Sequence, residues 1–380
     1  MAAASTLRPA TSALAFRGYN QTNLGRTPEL LARPAYRPYV LARLEEASAL
    51  CADASGRSVD LAALVADRIE PRLDRYAEAI ALVFAAELAQ LDLLRELHGV
   101  EPTDARLAIG YSLGELVAVT AAGLFPFESV MRPPLEMAAD CAELAGGVTM
   151  AVVFSRRAAL DERLVHAACE EVTCRGKGEL AVSAVLSPNT LLVIGQGDTI
   201  AALSDRLATV LPEGFAVRKN DGDWPPLHTP LVRRRSIADR AWRRIAASPR
   251  LAERPRMPIC SLVTGRQSYT GGSARETLRD WTDHPQRLWD GVVATLASDA
   301  QTVIHVGPSP NVIPATFRRL AENVVRQTLA WSLSGVGLRT VQLAGQTWLA
   351  PLLPAEGRLL RAPMIEHVVL EDWLLENAPP

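Results

Sequence analysis

The chain has 380 residues, enough for a sizeable core and more than one structural unit. Its 48% hydrophobic and 22% charged residues, with a net charge of −2, are those of a globular protein and give no overall pull toward nucleic acid or an anionic membrane. No apolar run reaches the roughly 18 residues a bilayer crossing needs, and the N-terminus lacks the apolar core of a secretory signal. The five cysteines (51, 141, 169, 174 and 260) form neither a C-x-x-C pair nor a metal-ligand spacing. The expectation is a cytoplasmic protein with reduced thiols, no bound metal, and no nucleic-acid or membrane partner.

In chain order, an irregular start leads to 75–97, "RYAEAIALVFAAELAQLDLLREL", rich in Ala, Leu and Glu and free of Gly and Pro, which predicts a buried helix. "GVEPTD" breaks it; "RLAIG" (106–110) reads as a short strand and 113–125 as a helix, the ingredients of a parallel α/β unit. From about 148 the texture changes. "VTMAVVF", "RAALDERLVHAACEEV", two strands around Ser187-Pro188-Asn189, "DTIAALSDRLATVL" and "GFAVRKN" give the order β-α-β-β-α-β of a split βαβ, ferredoxin-like unit. A helix over 231–247 and a late strand "TVIHVG" (302–307) follow. The pattern predicts an α/β fold with a parallel sheet in an α/β-hydrolase-like large domain (1–147 and 216–330). A ferredoxin-like small domain (148–215) is inserted in it, and a C-terminal extension (331–380) has no assigned role.

At the junction of strand and helix stands "IGYSLGE" (109–115), a G-x-S-x-G corner. The glycines leave room for a tight turn, the serine exposes its hydroxyl at the tip, and the helix behind it offers N–H groups to a developing oxyanion. The N–H of Leu113 is one candidate donor. The same pattern also fits an ordinary turn with a helix-capping serine, and a nucleophile needs a base. Of six histidines, His98 and His166 fall on helices, His305 on a strand and His367 in the unassigned tail, which leaves His228 in "DWPPLHTPLV" and His284 in "WTDHPQ". The stretch 231–250 places Arg233, Arg234, Arg235, Arg240, Arg243 and Arg244 around an Ile237/Ala241/Ile245 stripe. It reads as a solvated helix face or as a landing site for acidic partners.

"GYSLGE", "PPLHTPLV" and "VIHVGPSPNV" resemble, in order and separation, motifs of the malonyl-CoA:acyl-carrier-protein transacylases and the acyltransferase domains of polyketide and fatty-acid synthases. That family's pattern is a GHSxGE elbow, a histidine in an "FHTPLM"-like context, then "EVGPG". "FRGYNQTNLG" (16–25) is similar to the family's "FPGQGSQ" opening, and "PICSLVTG" (258–265) to the short strand between the later motifs. The resemblance spans roughly 12–325 and implies an acyltransferase that moves an acyl group, malonyl or a neutral one such as acetyl, from CoA to an acyl carrier protein. It implies no cofactor beyond the CoA and phosphopantetheine thioesters themselves. By the resemblance Ser112 is the nucleophile and His228 its general base. The backbone N–H groups of Leu113 and Tyr19 form the oxyanion hole, and a main-chain carbonyl near Asp280–His284 orients the imidazole. Tyr111, Arg132 and Met137 are candidate substrate contacts. Tyr111 stands where the family has histidine, and Met137 or Ala138 where malonyl-using members place a carboxylate-binding arginine; Arg132 lies about a turn earlier. Alternatives are a thioester hydrolase on the same serine–histidine site and a weakly catalytic scaffold subunit.

Overall fold

A computed structural model of the protein describes residues 7–220, 222–333, 349, 352 and 356–379. Its strands are β1 (Ser12–Phe16), β2 (Leu107–Gly110), β3 (Val148–Ser155), β4 (Leu180–Ser187), β5 (Thr190–Gln196), β6 (Phe215–Lys219), β7 (Ile259–Cys260), β8 (Thr302–Val306) and β9 (Glu366–Val369). The main sheet has the order β7-β2-β1-β8-β9, and every neighbouring pair in it is parallel. Parallel strands need covering on both faces, and β1 and β2 are buried at every position. Alternate residues of β1 feed two cores: Leu14 and Phe16 face one, with helix Tyr76–His98, while Ala13 and Ala15 face the other, with Leu288, Val292, Ile313 and Phe317.

The expected irregular start is therefore corrected: "SALAF" is the central strand. A strand buried on both sides shows no polar–apolar alternation, so its five residues carry no period-2 signal. The tail also departs from expectation. Glu366–Val369 pairs with β8 and extends the main sheet, and helix Leu370–Glu376 packs its Leu370 and Leu374 into the core. Most of 334–355 lies outside the described residues.

The second sheet is antiparallel, in the order β4-β5-β3-β6. Helices Glu162–Cys174 and Thr199–Val210 bury Val165, Cys169, Leu203 and Leu207 against it. The two sheets meet at Gln286, whose N–H donates to the Ser183 carbonyl (2.9 Å) and whose carbonyl accepts from Val185 N–H (2.8 Å). That junction brings β4 to the C-terminal ends of β1 and β2, the usual place for a ligand crevice in an open parallel sheet.

Candidate active site

The chain turns from β2 into helix Leu113–Ala121 through Ser112, at φ 56° and ψ −117°. A non-glycine residue in that region is strained and persists only where its surroundings hold it. Here they do: Ser112 N–H donates to Gln286 Oε1 (3.0 Å), and its carbonyl accepts from Trp281 Nε1–H (3.0 Å). Both flanking glycines are required sterically. A Cβ on Gly110 would stand 2.3 Å from the Gly114 carbonyl, and one on Gly114 2.4 Å from the Phe16 carbonyl.

Ser112 Oγ lies 2.8 Å from His228 Nε2, and His228 Nδ1 lies 2.8 Å from the Trp281 carbonyl oxygen. A carbonyl only accepts, so Nδ1 carries the proton and Nε2 offers its lone pair to the serine hydroxyl. Gln286 Nε2, 3.3 Å from Nδ1, is also a donor when its Oε1 accepts from Ser112, so that contact is packing rather than a hydrogen bond. His228 is itself held at φ 64°, its N–H donating to the Thr282 carbonyl (2.6 Å) and its ring edge-on to Trp281. Burial lowers its pKa to about 4, partly countered by the Trp281 carbonyl. The imidazole is neutral at neutral pH, as a base must be.

Glu115, the last residue of the elbow motif, is fully buried and ties the helix to β7: it accepts from Tyr269 OH (2.6 Å), Leu262 N–H (3.0 Å) and Ser261 Oγ–H. Burial raises its pKa to about 7 against the pull of those donors.

A cleft of about 220 Å³ opens over Ser112 and His228. Tyr19, Tyr76, Met150, Ile194, Trp224 and Leu227 form much of its wall, with Tyr19 edge-on to Tyr76 (4.9 Å) and Trp224 (6.2 Å). Tyr111 also lines it. Arg132 does not. Its guanidinium pairs on the outer surface with Asp53 (2.7 Å) and Glu128 (3.0 Å), because the helix that carries it, Phe127–Glu136, turns that residue toward solvent. Its expected substrate contact is corrected accordingly. Met137 is buried one layer behind the wall, against Tyr76 and Leu227. Arg17 is the cleft's only lining arginine among the described residues, and its guanidinium is bonded to Gly18, Thr22, Asn23 and Pro308. Leu186 and Val312 connect the cleft to a second groove of about 690 Å³, lined by Arg156, Arg218, Arg319 and Arg326.

His284 sits on the surface against Asp283 (2.8 Å), and His305 stacks on His367, with 2.9 Å between their nitrogens, away from the cleft. Trp281 falls within the segment expected to orient the base. Gln286 and Arg17 were not legible from the sequence. Gln286 is 58 positions from His228 in sequence, and no local pattern marks it. The described residues contain no group of His, Cys, Asp or Glu that could hold a metal and no helix long and apolar enough to cross a membrane.

No protein-family model matches the chain. Erythronolide synthase EryA2 of Saccharopolyspora erythraea is 28% identical over 254 residues, 66% of this chain and 6% of that protein. The chain spans only 4% to 21% of the length of the curated polyketide synthases it matches. Among solved structures, malonyl-CoA:acyl carrier protein transacylase of Xanthomonas oryzae pv. oryzae aligns at TM-score 0.63 and 22% identity, covering 82% of this chain and 92% of that one. A malonyl-transacylase solved in complex with a type II polyketide synthase acyl-carrier protein aligns at TM-score 0.61 and 22% identity, with 81% and 92% covered. The chain thus has the fold of the malonyl-CoA:acyl carrier protein transacylases and is similar in sequence to polyketide synthases.

Proposed function

We propose that the protein transfers an acyl group from a CoA thioester to the phosphopantetheine thiol of an acyl carrier protein, through an acyl-serine at Ser112. The 2.8 Å contact between Ser112 Oγ and His228 Nε2, with Nδ1 committed to the Trp281 carbonyl, carries this reading. His228 takes the serine proton as Oγ attacks the thioester carbonyl, and the backbone N–H groups of Leu113 and Tyr19 face the developing oxyanion. The imidazolium then protonates the departing thiolate. In the second half the carrier's thiol gives its proton to His228 and attacks the acyl-serine, which regenerates the hydroxyl. The four arginines of the adjoining groove suit the phosphates that both CoA and phosphopantetheine carry. Four buried and one exposed free cysteine fit a reducing compartment such as the cytoplasm.

The acyl group this cleft suits is neutral. A malonyl carboxylate would need a cation, and desolvating it unpaired is costly. Arg132 is outside, Met137 stands behind the wall, and Arg17 has four of its five N–H donors committed to the protein. The test offers acetyl-, hexanoyl- and malonyl-CoA in turn with a holo acyl carrier protein and reads acylated carrier by mass. Acyl-carrier from the neutral thioesters is expected. Free acid without acyl-carrier would establish the hydrolase, and no turnover of any thioester the scaffold.

A further inference from the structure

We infer that Arg17 is a positioning residue for the oxyanion hole, acting through the Gly18–Tyr19 peptide; this rests on the acyl-serine reading above. Arg17 Nε–H donates to the Gly18 carbonyl at 2.8 Å. That carbonyl belongs to the Gly18–Tyr19 peptide, which lines the cleft and whose N–H the reading above assigns to the oxyanion. A trans peptide points its C=O and N–H in opposite directions, so a guanidinium fixed on the carbonyl side holds the N–H pointing away from itself. A charge-assisted bond to the carbonyl also polarises the peptide and strengthens its N–H as a donor.

The surroundings hold Arg17 to this single arrangement. Its remaining donors reach the carbonyls of Pro308 (2.6 Å) and Thr22 (3.2 Å) and Asn23 Oδ1 (3.0 Å), and the side chain is 1% exposed. Three glutamates surround the cation and clamp the same loops by their backbone N–H groups. Glu87 accepts from Arg17 N (2.7 Å), Glu70 from Asn23 N (2.5 Å), and Glu371, on the C-terminal helix, from Arg26 N and Ser309 N (2.9 Å each). The peptide so fixed lies against the elbow: a Cβ on Gly18 would stand 2.5 Å from the Tyr111 carbonyl and 3.0 Å from Ser112 Cβ. With four of its five donors spent on the protein, the guanidinium acts by setting the geometry of one donor.

The test compares the full chain with Arg17→Met, Arg17→Lys and Arg17→Ala in single-turnover acylation by acetyl-CoA, alongside thioester affinity and thermal melting. Losing one oxyanion donor lowers acylation by roughly 10²–10³-fold. Arg17→Met is expected to lose on the order of 10²-fold in the saturated acylation rate, with affinity changed less than threefold. Tens of millimolar guanidinium should restore part of the rate to Arg17→Ala and none to Ser112→Ala. A folded Arg17→Met that acylates within threefold of wild type overturns the inference, as does a loss confined to affinity. Where Arg17→Met does not fold, Arg17→Lys decides: an ammonium cannot hold all four acceptors, so a folded Arg17→Lys with the wild-type rate overturns it too. Failure of the underlying reading looks different, because the wild type itself then forms no acyl-serine.

Discussion

The cluster around Ser112 and the arginine-rich helix Ile237–Ala247 are both conspicuous in sequence, but they are held together by different physics. In the helix region Arg233 pairs with Asp283, Arg234 with Glu179, Arg235 with Glu143, Arg240 with Asp140 and Arg244 with Glu136. These are mostly exposed pairs within the chain, each worth about 0–1 kcal/mol, and they fasten the helix to its neighbours rather than leaving a bare cationic field. Around Ser112 few charges are present, yet each polar group is buried and its partner has no substitute from water. Residue counts draw attention to the first region. Burial and the number of partners give weight to the second.

Substitutions at the two regions should separate by orders of magnitude. Ser112→Ala removes the proposed nucleophile, and acylation by acetyl-CoA should fall by on the order of 10⁶-fold, to the detection limit of a mass assay. His228→Ala should cost about 10²–10⁴-fold, the usual range for a positioned base. Gln286→Ala leaves the buried Ser112 N–H without its acceptor and should destabilise the protein by about 1–3 kcal/mol in urea unfolding. At the small end, Arg240→Ala and Arg244→Ala should each cost about 1 kcal/mol or less and leave acylation within threefold. A large rate loss in either would mean that the helix contacts substrate or carrier, and the contrast would fail.

pH sharpens the same contrast. Burial lowers the His228 pKa to about 4, so the base stays neutral well below the ordinary histidine range. Acylation is lost only as pH falls through that value, and a rate profile that drops near pH 6.5 would contradict the assignment. Glu115 has the opposite sign. Its folded pKa, raised from 4.5 to about 7, means that the wild type is favoured when the carboxyl is protonated and loses stability as pH rises between those values. The stability of wild type relative to Glu115→Gln should therefore decline from pH 4.5 to pH 7 in paired denaturation curves.

The Ser112–His228 contact was legible because its signals are local. Ser112 lies between glycines whose Cβ atoms would collide with backbone, and His228 sits in a proline-stiffened turn. Strands and helices from 148 to 219 were legible through their alternating periods. Besides Gln286, three features were not. "SALAF" is buried on both faces and shows no alternation. Arg17 looks like any surface arginine until the fold closes three glutamates around it, one of them 354 positions later at Glu371. Residues 366–369 pair with β8, more than sixty positions back in the sequence. Each depends on contacts between distant segments, which a linear pattern does not encode.

The most direct measurement is peptide mapping after a short exposure to labelled acetyl-CoA, run on wild type and His228→Ala. One acetyl group per chain is expected, on the peptide containing Ser112, formed at least a hundredfold more slowly without the histidine. Label on another residue, or equal labelling of the two proteins, would contradict it.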